Sequence, residues 1–154
     1  MELPIKAFCL NGYDEKIELT ITEVFDFPDR TCYEGGYDTK GILDIEIGCY
    51  KVYCTEFYFA TGVLFRFLEG LEVCYKTLNG KAEYKHYLEH CLEFTLEMTH
   101  SGHACITGRF CENPALDNEL IFEMETDQTC IKPVIDDIKN IMSLFGGYAG
   151  TKKK

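Results

Sequence analysis

The stretch that decides the fold is ELIFEMETDQTCIKPVIDDIKNIMSLF, residues 119–145. Its first part alternates, with Leu120, Phe122 and Met124 on one side and Glu119, Ile121, Glu123 and Glu125 on the other. A period of two over this length predicts a half-buried strand. After Asp127-Gln128-Thr129 the spacing changes, and Ile131, Ile135, Ile138, Met142 and Phe145 recur at three and four residues until Gly146-Gly147. That spacing predicts an amphipathic helix over about 130–145, with Asp127 or Thr129 capping its start and Pro133 expected inside the first turn.

The same two periods recur upstream. Alternation appears in Ile17, Leu19 and Ile21, in Leu43, Ile45 and Ile47, and in Leu92, Phe94, Leu96 and Met98. Further strands are expected near Tyr50 to Phe59, Lys81 to His86 and His103 to Cys111, with turns at Asn79-Gly80, Ser101-Gly102 and Asn113-Pro114. Between them Leu64, Phe67, Leu68, Leu71, Cys74, Tyr75 and Leu78 follow helical spacing, which predicts a helix over about 61–78 capped by Thr61. Pro28 to Thr39, with Gly35-Gly36 at its centre, reads as a loop, and no internal repeat is visible. Antiparallel strands in meander order with two segregated helices predict an α+β fold, a curved sheet or sandwich-like meander. Residues 1–150 are expected to form one domain and 151–154 a basic tail.

Charge narrows the function. The chain has 154 residues, 15 Lys and Arg against 26 Asp and Glu, for a formal charge of −11. Lys152, Lys153 and Lys154 hold three of the positive charges, so the rest of the chain carries 12 against 26, or −14. Such a surface repels nucleic acid and anionic membrane and attracts basic proteins. No stretch approaches the ~20 apolar residues of a membrane span, and Met1 to Leu10 lacks a signal-peptide pattern, which predicts a cytoplasmic protein. The nine cysteines form an odd set with no Cys-x-x-Cys pair, as expected of free thiols in a reducing compartment.

Motifs for catalysis or cofactors are thin. His103 and Cys105 share one strand, but two-residue adjacency alone does not make a nucleophile and base. His86, Glu89, His90 and Cys91 lie close in sequence, yet they flank an expected hairpin turn and supply no convergent set of four ligands, so they read as solvated turn residues and no metal is expected. No glycine pair opens a phosphate loop, and no cofactor is expected. The acids are more informative. With the apolar sets inward, Glu18, Asp44, Glu46, Glu93, Glu97, Glu119, Glu123 and Glu125 point outward, and so do His103, Cys105, Thr107, Arg109 and Cys111. Arg109 would be a lone cation able to pair with a neighbouring glutamate. Like charges directly opposite one another destabilise a sheet, so these acids should be spread apart. The surface is either an ordinary acidic exterior or a docking face for a basic protein, for which Glu93, Glu97, Glu119, Glu123 and Glu125 are the candidate residues.

A set of short motifs in the C-terminal half resembles the WapI-like immunity proteins of bacterial polymorphic toxin systems. They are Gly102-His103, Gly108, Glu112-Asn113-Pro114, Asn118-Glu119-Leu120 with Phe122, and Asp127-Gln128-Thr129 leading into Ile131, Pro133 and Ile135. Phe57-Tyr58-Phe59, Thr61-Gly62 and Tyr75 before Leu78-Asn79-Gly80 extend the likeness, which spans about residues 40–145. The resemblance implies a cytoplasmic antitoxin, not an enzyme, that binds the C-terminal toxin domain of a cognate secreted protein, a nuclease in the best-known branch and so commonly basic. The alternative is a small-ligand-binding or interaction module, for which Phe57, Phe59, Phe67 and Phe94 would line an apolar cavity.

Overall fold

In a computed structural model, residues 2–86 and 91–151 are described. Eight strands form two four-stranded antiparallel meanders, each running directly into a helix. The first sheet is β1 (Ile5–Asn11), β2 (Lys16–Val24), β3 (Asp38–Ile47) and β4 (Tyr50–Ala60), followed without a loop by α1 (Thr61–Thr77). The second is β5 (Lys81–Tyr84), β6 (Leu92–Met98), β7 (His103–Cys111) and β8 (Glu119–Asp127), followed by α2 (Gln128–Phe145). The expected α+β class is therefore observed, and the two halves share one topology although their sequences share no repeated motif.

The strand that neither alternation nor turn signals marked is β1. Ala7 and Phe8 are adjacent and both fully buried. The register explains this, because Lys6 faces Thr20 whereas Phe8 faces Leu19, leaving Ala7 as an extra residue in a bulge. A bulge breaks the period of two and hides a strand from a pattern search.

The helices are fixed by different means. At α2 the Asp127 carboxylate accepts from the Thr129 amide at 2.9 Å and from its hydroxyl, the expected N-cap. Pro133 lies in the second turn rather than the first. Its missing N–H removes the intrahelical donor for the carbonyl of Thr129, an exposed residue whose carbonyl water can serve. Thr61 does not cap α1. The N-cap is Ala60, and no side chain bonds the first turn. The loop before β3 does this work with its backbone: Tyr37 C=O takes the Thr61 amide and Gly35 C=O takes the Gly62 amide, both at 2.9 Å, while Thr61 Oγ1 accepts from the Tyr37 amide. The fit leaves no room for side chains. A Cβ on Gly36 would stand 1.9 Å from Thr61 Oγ1, and one on Gly62 would stand 2.4 Å from Glu34 C=O.

The helices pack crosswise. Contacts join α1 to β5 of the second sheet, α2 to β1 of the first, and the helices to each other. Gly70 permits the first of these, since a Cβ there would meet the Ala82 backbone at 2.7 Å. One aromatic cluster spans both halves: Phe8, Phe67, Tyr84 and Phe94 lie with ring centroids 5.2–6.3 Å apart. Phe57 and Phe59 are buried as a stacked pair. Phe67 and Phe94 are thus packing residues, and Phe59, Phe57 and Phe94 border three separate clefts rather than one. His86 is also buried, between Tyr84 and Phe57, rather than solvated on a turn. Glu89 and His90 lie outside the described residues, as do Lys152 to Lys154.

Candidate functional site: the outer face of the second sheet

The eight outward acids of the sequence fall into two groups with different electrostatics. Glu18, Asp44 and Glu46 stand on the first sheet around Lys16, whose Nζ lies 3.9, 3.4 and 3.7 Å from their carboxylates. Lys6 reaches Glu18 at 3.8 Å, Lys51 reaches Glu46 at 3.3 Å, and Lys40 reaches Glu56 at 3.6 Å. Burial would lower the Lys16 pKa, but Asp44 and Glu18 outweigh it and hold the ammonium above its ordinary value. Cations and carboxylates interleave, so this face is close to neutral.

The second sheet is different. Its outward positions carry Glu83, Glu93, Glu97, Glu119, Glu123 and Glu125 against Lys81 and Arg109. Arg109 Nε meets Glu119 Oε1 at 2.7 Å, the pairing expected for this residue. Among the described residues, Glu83, Glu97, Glu123 and Glu125 form no ion pair. The register shows how the sheet tolerates such a charge. One row across the strands reads Lys81, Glu97, Cys105, Glu125, and the next reads Glu83, Thr95, Thr107, Glu123. A third places Glu93 opposite Arg109 and Arg109 opposite Ile121, while Glu119 faces Cys111. No glutamate stands directly opposite another, which avoids the closest like-charge repulsion.

All five sequence-predicted acids therefore share one face. Glu83 joins them and was missed, although the burial of Ala82 and Tyr84 on β5 fixes Lys81 and Glu83 as outward by simple alternation. Ile121 sits among the acids at 76% exposure, an apolar contact point at their centre. A shallow depression of about 550 Å³ lies beside it, between Thr95, Thr107 and Arg109. Cys111 departs from the expected outward set: it is buried, where its amide closes onto Cys91 C=O at 2.8 Å beyond the end of β6.

His103 and Cys105 face outward but do not form a catalytic pair. The Tyr13 hydroxyl and His103 Nδ1 share a hydrogen bond of 3.1 Å, and the Cys105 thiol donates to Glu123 Oε1 at 3.4 Å. Burial, then the Glu123, Glu125 and Glu97 carboxylates, push the Cys105 thiol up and keep it protonated. The described residues contain no group of three His, Cys, Asp or Glu side chains that could hold a metal ion. No described helix is long and apolar enough to cross a membrane.

The model of the immunity protein WapI-like family matches residues 8–146. The chain belongs to this family. As a WapI-like immunity protein it carries the family pattern through the first sheet as well, beyond the residues 40–145 over which short motifs revealed it. No curated protein matches the chain. Among solved structures, a chain of the CdiA-CT/CdiI toxin and immunity complex from Enterobacter cloacae is similar at 12% identity and a TM-score of 0.41, covering 76% of this WapI-like protein and 97% of that chain.

Proposed function

We propose that this immunity protein neutralises a cognate toxin domain by stoichiometric binding rather than by catalysis, and that the toxin's basic surface docks on the outer face of the second sheet. The supporting observation is the imbalance between the two sheets: the first neutralises its acids internally, whereas the second presents six glutamates against two cations. A carboxylate face steers a cationic partner toward itself and rejects anionic ones. A nuclease toxin fits this reading, because a protein that holds a polyanion carries the complementary positive surface. The site of action would be the cytoplasm, where such a toxin meets its substrate. Glu93, Glu97, Glu119, Glu123 and Glu125 are the contact residues, with Glu83 added from the register.

The test uses the reading frame beside this one. If that frame encodes a secreted protein with a C-terminal toxin domain, the domain should co-purify with this protein in a one-to-one complex and should arrest cells only when this protein is absent. Failure both to co-purify and to protect overturns the proposal.

A further inference from the structure

A second element of the surface is built for an extended chain. β4 is the last strand of the first sheet, and its outer edge pairs with no strand among the described residues. A cleft of about 400 Å³ runs along it, lined by the consecutive residues 53–58 on one side and by Cys91, Phe110 and Glu112 on the other. Successive residues of a strand point to opposite faces, so a cleft touched by six in a row opens on the strand's edge, where backbone N–H and C=O groups are presented. A second cleft of about 450 Å³ continues past Tyr58 along Phe59 and Ala60 to His86. Tyr53 and Tyr58, 61% and 51% exposed, flank the run.

The charge of the groove selects its occupant. Among the described residues neither cleft is lined by a lysine or arginine; Glu34 and Glu56 already meet Arg66 at 2.7 Å and Lys40 at 3.6 Å, which leaves Asp38 and Glu112 as the lining carboxylates with no ion pair among those residues. A second copy of this chain would bring Glu56 and Glu112 against their own kind. The pairing of Gly41 with Phe57 but of Leu43 with Cys54 places a bulge in the middle of β4, so an added segment must follow a kinked edge whichever chain supplies it. The far wall is the end of the second sheet at which Glu93 and Glu119 stand, so one partner can span groove and glutamate face together.

We propose that the free edge of β4 takes an extended, Lys- or Arg-bearing segment of the cognate toxin as an added strand, with Tyr53 and Tyr58 stacking on its side chains. This rests on the toxin-binding reading above and names the segment type that it engages.

Hydrogen–deuterium exchange on the full chain, free and with one equivalent of its cognate toxin domain, decides the matter. Amides within residues 53–60 that exchange fast in the free protein should slow by about tenfold or more in the complex. Glu112→Lys should raise Kd by about fivefold without changing Tm, since its side chain is exposed and forms no ion pair among the described residues. A complex that forms with residues 53–60 exchanging at the free rate overturns the added strand and leaves the immunity reading intact. Absence of any complex overturns both. Protection of the same amides in the free protein that grows with concentration assigns the edge to a second copy and also overturns the proposal.

Discussion

Replacing Glu97, Glu123 and Glu125 by Gln, and separately by Lys, tests the glutamate face most directly. These three surround Cys105 and have no ion-pair partner among the described residues, so their removal breaks no ion pair and costs only the Cys105 thiol's contact with Glu123. A cation docked about 5 Å from one carboxylate gains about 0.8 kcal/mol in a water-like dielectric. Three such contacts give about 2.5 kcal/mol, a factor of about 60, and screening at 0.1 M salt reduces this to about 1.5 kcal/mol, or about tenfold. The Gln triple should therefore bind the toxin about tenfold more weakly at 0.1 M salt, and the Lys triple about a hundredfold, with most of the loss in the association rate and a flatter dependence on salt. Stopped-flow mixing reads the rate. The chain contains no Trp, so any tryptophan emission in the mixture is the toxin's own. A control triple at Glu2, Glu23 and Asp136 makes the same change in net charge away from the face and should retain more of the association rate. Equal losses in the two Lys triples would reduce the effect to net charge. Unchanged rate and salt slope in the face variants would remove the second sheet from the interface.

Three further variants test how the structure is held. Tyr84 is fully buried, and its hydroxyl has no hydrogen-bond partner among the described residues; burial drives its pKa far above the ordinary phenol value, and Tyr84→Phe should leave stability unchanged or raise it by about 1–2 kcal/mol in urea titration, a clear loss being the contrary result. Arg66 binds the Glu34 carboxylate and its carbonyl, both at 2.7 Å, with side chains only 22% and 12% exposed; Arg66→Met should cost about 2–4 kcal/mol, and Glu34→Gln added to it should cost little more, as a thermal-melt double-mutant cycle would reveal. Asp127 is held below the usual carboxylate pKa, chiefly by the Thr129 hydroxyl; a depressed folded value means that its contribution is present above pH ~4 and is lost as pH falls through that lower value, so Asp127→Ala should cost about 1 kcal/mol at pH 7 and progressively less in acid, measured by urea titration at each pH.

Alternation revealed four of the eight strands, β2, β3, β6 and β8, because each has one buried and one wetter face, and turn signals placed three more. β1 escaped because Ala7 breaks the period, and the bulge that does so is visible only in the pairing with β2. Both helices and the start of α1 at Thr61 were legible from spacing, but the capping of α1 was not, since its orphan amides are met by carbonyls of Gly35 and Tyr37, which no side-chain pattern announces. The outward orientation of the glutamates followed from alternation alone. Their division between a sheet where lysines interleave with the acids and one where the acids outnumber the cations did not, because it depends on which strands share a sheet and on Lys16 standing among Glu18, Asp44 and Glu46. The groove beside β4 was likewise invisible, since strand order decides which edge is left open.

The crosswise packing of the helices has a practical consequence. The half that ends in α1 covers the opening strand of the other half, and α2 returns the favour on β1, so each half lacks its own lid. Cut between Asn79 and Gly80, the two fragments should remain unfolded apart and regain structure on mixing. That outcome would make the chain a split protein, its reassembly reporting when two attached partners meet.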